Sequence, residues 1–385
     1  MWPYLICFIV SSILIYVSGK VKYKLVRKLI ICIALIIPCI LAGCRDLTIG
    51  TDVQIYLNPM HIKAQFANSF NEFLTLNVSG NRFVYKYELG FTLLVYLISN
   101  IFKDIHVLMF VIEALIIFPI YFGCKKIEPL KNKIWLCMFV YYCLFFNYGL
   151  NAMREFMGLS FAFYAICSYI SKERNGLRNY IIFSLIAFFL HKSTVLSVVI
   201  VLIYKLLNNS KVSTKRLLLN NKKISISKIV SIIVIVLSFY LLFNLNIFNS
   251  LLYSMEGFGR YVDYYSGNVI FSINNFLRVL PMVLILILLF KKFVKKYDSS
   301  MFYTTIFCFA WIIFVNLNTV SLYGDRVSNI FKLMSIIIYP LLSISPDSKK
   351  GKTLITIIII LYVLYYFWYT YVNKGYHHTV PYIFG

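Results

Sequence analysis

Apolar runs of about bilayer-crossing length recur along the whole chain, and this recurrence restricts the fold more than any other feature. They cover residues 2–17, 29–44, 89–102, 106–124, 134–149, 156–170, 180–191, 193–207, 229–246, 276–290, 301–317, 327–344 and 353–372. A helix needs roughly 20 apolar residues to cross the hydrocarbon core. Only helices and closed barrels satisfy their backbone groups in lipid. The expectation is an all-α, polytopic integral membrane protein with about twelve transmembrane helices, organised as one transmembrane domain over residues 1–385. With 61% hydrophobic and 14% charged residues, the chain carries far less charge than a soluble domain of its size. Tyrosines are abundant near the ends of the runs, as interfacial belts require.

The net charge of +24 would suggest nucleic acid in a soluble protein. Here most of the Lys and Arg lie between apolar runs, at Lys20–Lys28, Lys125–Lys133, Lys205–Lys228, Lys291–Lys296 and Lys349–Lys352. Such clusters are topology signals under the positive-inside rule, and they predict contact with membrane lipid rather than nucleic acid. The first run has its basic cluster after it, the reverse of a secretory signal, so it is expected to be a retained helix with its N-terminus outside. Leu41-Ala42-Gly43-Cys44 matches a lipobox, but the many apolar runs that follow argue against a lipidated Cys44. The nine cysteines show no metal-type spacing and read as small buried hydrophobes. No metal site and no cofactor is expected.

Residues 45–88 are the longest polar segment and the expected main external loop, with a short surface helix over 68–76. Two full crossings at 89–102 and 106–124 would leave Lys125–Lys133 outside, against the positive-inside rule. The short run 89–102 is therefore expected to be re-entrant or to lie along the interface. The charges left on the external side are few: Arg45, Asp46, Asp52, Glu88, Arg154, Glu155, His191, Arg260, Asp263, Asp325 and Arg326. Ionisable groups at membrane depth are costly and usually face a cavity or a partner. Arginines converging on one cavity would suit a diphosphate, because the guanidinium fork binds phosphate oxygens bidentately. Each residue also has a plain structural reading. Arg154–Glu155 and Asp325–Arg326 could be self-neutralising pairs, His191 could cap its helix, Glu88 could anchor at the interface and Asp52 could N-cap a short helix. His377 and His378 read as solvated tail residues.

The ordered series Gly50-Thr51-Asp52-x3-Tyr56, Tyr87-Glu88-x-Gly90-Phe91, Asn151-x-x-Arg154-Glu155 and Phe189-x-His191-Lys192-Ser193 resembles the EpsG-type family of Wzy-like bacterial polysaccharide polymerases. The likeness covers roughly residues 40–205. Gly324-Asp325-Arg326 is a plausible late motif, and Glu155 departs from the glutamine the family often carries there. The resemblance implies a GT-C-like membrane glycosyltransferase that polymerises surface-glycan repeat units on the external face of the bacterial cytoplasmic membrane. Its substrate would be an undecaprenyl-diphosphate-linked oligosaccharide, with a chain-length regulator as a further partner. Arg45, Arg154, Arg326 and, less directly, Arg260 would bind the diphosphate. Asp52 or Glu88 would be the general base, with His191 assisting it or binding phosphate, and the reaction would be metal-independent. A flippase for the same glycan, an O-antigen ligase and a glycan O-acyltransferase are the rival readings.

Overall fold

Pro3 opens α1 (Trp2–Ser18) in its first turn, the position where a missing N–H costs nothing. The chain reverses through Gly19–Tyr23 into α2 (Lys24–Gly43), and the Ser11 hydroxyl donates to the Ala34 carbonyl across this hairpin at 2.7 Å. A computed structural model describes residues 1–80, 82–208, 216–219, 222–225, 272–319 and 324–385. The expected run 229–246 and Arg260 lie outside the described residues.

The polar segment 45–88 is more ordered than a loop need be. A wide helical turn over Val53–Leu57 leads into α3 (Asn58–Phe66). Ser69 then caps α4 (Phe70–Thr75) by accepting from the Glu72 N–H, while Glu72 reaches back to the Asn68 N–H, a capping arrangement written in Ser-x-x-Glu. This short helix lies within the stretch expected for it. A small hairpin, β1 (Asn77–Ser79) with β2 (Arg82–Phe83), follows, and a second two-stranded pair, β3 (Arg216–Leu219) with β4 (Lys222–Ser225), lies further on.

The helix α5 (Leu89–Phe102) has 14 residues and is about 21 Å long, short of the roughly 30 Å hydrocarbon core. Its Ser99 hydroxyl meets His61 at 2.8 Å and its Asn100 amide donates to the Ala64 carbonyl at 3.1 Å, both on α3. The chain turns at Lys103 in a left-handed conformation, Asp104 caps α6 (Ile105–Lys126), and His106 Nδ1 sits 2.7 Å from the Gly43 carbonyl at the end of α2. Both ends of α5 therefore meet the polar segment 45–88. Its exposed stripe is Leu89, Leu93, Leu97 and Ile101, while Phe91, Val95 and Ser99 are buried; such a stripe suits lipid, not water. Because α6 starts where α2 ends, Lys125–Lys133 emerges at the same end as Lys20–Lys28, and the conflict with the positive-inside rule disappears.

The remaining helices of the first unit are α7 (Ile134–Asn151), α8 (Met153–Ile170) and α9 (Gly176–Leu190). This unit comprises Met1–Ser197 and Ile360–Gly385. Its core stacks Phe8 on Tyr142 with ring centres 5.3 Å apart, and sets Tyr4 and Phe8 edge-on to Phe146 and Phe367. The C-terminal residues are packed rather than loose. Tyr4 donates to the Thr379 carbonyl at 2.7 Å, Phe384 bridges Arg45, and the His377 ring lies 4.0 Å from that of Tyr148. The solvated-tail expectation therefore fails for His377, because an aromatic neighbour offers it a face, while His378 remains exposed.

The second unit, Val198–Ile359, holds most of α10 (Ser197–Asn208), together with α11 (Ile273–Lys296), α12 (Ser300–Asn316), α13 (Gly324–Lys332) and α14 (Ser335–Ser343). Inside it Trp311 donates to the Ser335 hydroxyl at 2.8 Å. The last helix, α15 (Lys349–Asn373), leads back into the first unit. Among the described residues, α2, α6, α7, α11 and α15 are long and apolar enough to cross a membrane, and α1, α5, α9 and α12 are shorter apolar helices. The helical membrane architecture is as expected, and the described residues contain these five long and four shorter apolar helices.

Candidate active site

Three of the quoted motifs meet where helix ends converge in the first unit. Glu88 is the residue before α5, and the backbone at Tyr87 and Glu88 is extended, which turns the carboxylate away from the helix. It makes no capping bond to its own helix. Instead Oε2 accepts from the Arg154 guanidinium, in the first turn of α8, and Oε1 lies 3.0 Å from Nδ1 of His191, the last-turn cap of α9. Nδ1 makes no hydrogen bond there, so the contact is one of proximity. The side chains are 11% (Glu88), 19% (Arg154) and 6% (His191) exposed. Burial opposes ionisation of Glu88, but His191 and Arg154 outweigh it and hold its carboxyl well below the usual carboxylate range. The interface-anchor and helix-cap readings are thereby replaced for the Glu88 and His191 side chains, and Arg154 pairs with a glutamate 66 residues away.

Aromatic rings enclose the cation. The Arg154 guanidinium lies 4.9 Å from the Tyr56 ring centre, 4.8 Å from that of Tyr87 and 5.8 Å from that of Phe91, distances at which a ring face attracts a cation. The Tyr56 hydroxyl donates to Asp52 Oδ2 at 2.9 Å. Burial first, and then the adjacent Asp52, pushes the Tyr56 phenol well up, so it stays a neutral donor. Asp52 makes no side-chain cap to the helical turn it precedes. Asp52, Tyr56, Arg154, Glu88 and His191 thus form one chain of contacts. Three of its nitrogens, Arg154 Nε and both His191 Nδ1 and Nε2, are buried without a hydrogen bond, although Nδ1 lies 3.0 Å from Glu88 Oε1.

Two glycines of the motifs have a steric reason. A Cβ at Gly90 would stand 2.9 Å from the Phe189 carbonyl oxygen, so only glycine lets the start of α5 reach the end of α9. Gly50 has φ +85°, and a Cβ there would meet the Leu150 carbonyl at 2.8 Å. Gly90→Ala is accordingly expected to separate Glu88 from His191 and to cost about 1–3 kcal/mol, read as a lowered unfolding temperature of the detergent-solubilised protein. An unchanged temperature would mean that this close approach is not needed.

The other expected residues fall elsewhere. Arg45 is fully buried and donates to the Leu150 carbonyl at 3.1 Å and contacts the Met153 sulfur at 3.3 Å, so it serves the C-terminal turn of α7, where a cation is favourable. Arg326 lies in the first turn of α13, in the second unit. Four further residues were not singled out from sequence. The rings of Tyr87 and Phe91 lay inside a quoted motif. Asn151 accepts from the Thr51 hydroxyl at 3.0 Å and the Asp52 N–H at 3.2 Å, fixing the Gly50–Asp52 turn. Glu113, buried within α6 and 3.3 Å from the Tyr141 hydroxyl, had a visible signal as a lone carboxylate in an apolar run.

No curated protein and no solved structure matches the chain. A family model does, across residues 28–384, an interval that includes every residue of the Asp52–His191 cluster. The chain therefore belongs to the EpsG family, and with it takes the general role of a membrane-embedded polysaccharide polymerase.

Proposed function

We propose that this protein polymerises lipid-linked oligosaccharide repeat units, moving the reducing end of a growing glycan from undecaprenyl diphosphate to a hydroxyl of the next lipid-linked unit. The observation that carries the proposal is the buried Glu88–Arg154–His191 cluster at the helix ends, with His191 Nε2 and Arg154 Nε unpartnered. In this reading His191 Nε2 takes the proton of the acceptor hydroxyl as its oxygen bonds to the anomeric carbon. The bond from that carbon to the diphosphate oxygen breaks, and the diphosphate leaves with the electron pair. Arg154 stabilises the charge that develops there, and the proton later leaves His191 to water. A carboxylate held ionised beside the Arg154 guanidinium is a weak base, so Glu88 orients the imidazole, as the acid of a catalytic triad does. Asp52 orients Tyr56 beneath the guanidinium. The diphosphate roles of Arg260 and Arg326, the GT-C-like architecture with about twelve crossings, and the external face of the bacterial cytoplasmic membrane belong to the same proposal. Arg45 is assigned a structural role.

The test is the profile of lipid-linked glycans in a deletion strain with and without the wild-type chain. Single repeat units on the lipid carrier are expected in the deletion, and long chains on complementation. Long chains persisting in the deletion, with only acetyl groups or export altered, would overturn the polymerase reading in favour of an acyltransferase or a flippase.

A further inference from the structure

At the end of the first unit opposite the Glu88 cluster, a cavity of about 560 Å³ opens where α1 ends, α2 begins, α6 ends and α7 begins. Lys20, Lys24, Arg27, Lys28, Lys125 and Lys131 line it. They come from two stretches about a hundred residues apart, so the fold gathers into one concavity what the sequence shows as two separate basic patches. Among the described residues no carboxylate lines the cavity. The nearby Glu128 is paired with Lys131 at 2.9 Å, and Glu173 with Lys126. With Lys131 offset by Glu128, the five other cations around the cavity repel one another, and an anion lodged among them relieves that repulsion.

We propose that this cavity binds the phosphate headgroup of an anionic membrane lipid. Its volume is that of a small-molecule site rather than of a single ion. The wall is amphipathic: Tyr16 and Trp135 stand edge to face, 6.0 Å apart, with the Lys20 ammonium 4.6 Å from the Tyr16 ring centre. Tyrosine and tryptophan belong at headgroup depth. Ile15 and Ile31 line the interior, and Ile13, Leu29 and Ile33 on the same helices are exposed. Phosphate oxygens would sit among the cations while acyl chains follow those apolar faces. A soluble phosphate would have no use for them. Basic pockets between membrane helices recognise lipid headgroups by this combination.

The experiment titrates the full chain, purified in neutral detergent, with phosphatidylglycerol carrying brominated acyl chains. Brominated phosphatidylcholine is the zwitterionic control, and the fluorescence component lost in Trp135→Phe is the signal. Phosphatidylglycerol is expected to quench that component at a concentration at least about tenfold lower than phosphatidylcholine does. Each surface basic residue is worth roughly fivefold in affinity for anionic lipid. The Lys24→Gln/Arg27→Gln/Lys28→Gln variant should therefore shift the midpoint by up to about a hundredfold, and Lys24→Arg/Lys28→Arg should keep it. Equal quenching by the two lipids overturns the proposal. So does an equal shift from Lys349→Gln/Lys350→Gln/Lys352→Gln, which would mean diffuse surface charge. Displacement of the lipid by sodium pyrophosphate at matching concentration also overturns it, in favour of a soluble anion. If the triple glutamine variant does not fold, the comparison of the two lipids on the wild-type chain decides.

Discussion

Replacing His191 by alanine is expected to leave a folded, membrane-inserted protein that elongates glycan about 10²–10⁴ times more slowly, the range that a positioned general base contributes. The imidazole sets one nitrogen toward the carboxylate and leaves the other for a substrate: Nδ1 lies 3.0 Å from Glu88 Oε1, while Nε2 is buried without a partner. Removing it leaves the Glu88–Arg154 pair in place, so the loss should fall on turnover more than on stability. Purified protein turning over a lipid-linked repeat unit would give the rate, and added imidazole should restore part of it in the alanine variant. A rate unchanged within threefold would exclude His191 as the base and return that role to Asp52 or Glu88. A lost rate with no imidazole rescue, in a protein that unfolds at lower temperature, would mark His191 as structural.

Glu88→Ala carries the largest expected effect on stability. It leaves the Arg154 guanidinium buried among Tyr56, Tyr87 and Phe91 without its carboxylate. Removing one partner of a buried pair costs about 3–5 kcal/mol. The aromatic faces offset part of that, at about 0.5–2 kcal/mol for such contacts. Adding Arg154→Leu to Glu88→Ala should recover stability, because it removes the stranded charge, and a double-mutant cycle on unfolding in mild detergent reads the coupling. The pH dependence has a definite sign. The folded-state pKa of Glu88 is depressed, so its contribution is complete above the unfolded value of about 4.3 and declines as the pH falls below it. Glu88→Gln should flatten that acid limb. A wild-type and a Glu88→Gln protein with the same acid limb, or single and double variants of equal stability, would show that the pair does not hold the helix ends together.

Much of the site could be read in the chain itself, in pieces. Gly50-Thr51-Asp52, Tyr87-Glu88-x-Gly90, Arg154 and His191 all stood out as charges and small residues at the ends of apolar runs. Their meeting could not be read, because Glu88 and Arg154 are 66 residues apart and nothing in local periodicity ties the start of one helix to the start of another. Arg45 shows the limit from the other side. Beside a helix end it looks like its fellow arginines, yet it turns inward to the Leu150 carbonyl because the backbone there needs a donor. The packing of His377 against Tyr148 is likewise a contact between distant segments that no pattern announces.

The sequence by itself determined the membrane environment, the helical class and the residue types available for chemistry. Hydropathy is summed residue by residue, and a backbone in lipid has few ways to satisfy its hydrogen bonds. Only the tertiary structure decided that both ends of α5 meet the polar segment 45–88 and that Lys20–Lys28 and Lys125–Lys131 share one cavity. It alone decided, too, that Glu88 lies between Arg154 and His191. Those outcomes depend on which helix ends the packing brings together, and side-chain volume and close backbone approach select that, as at Gly90 against the Phe189 carbonyl.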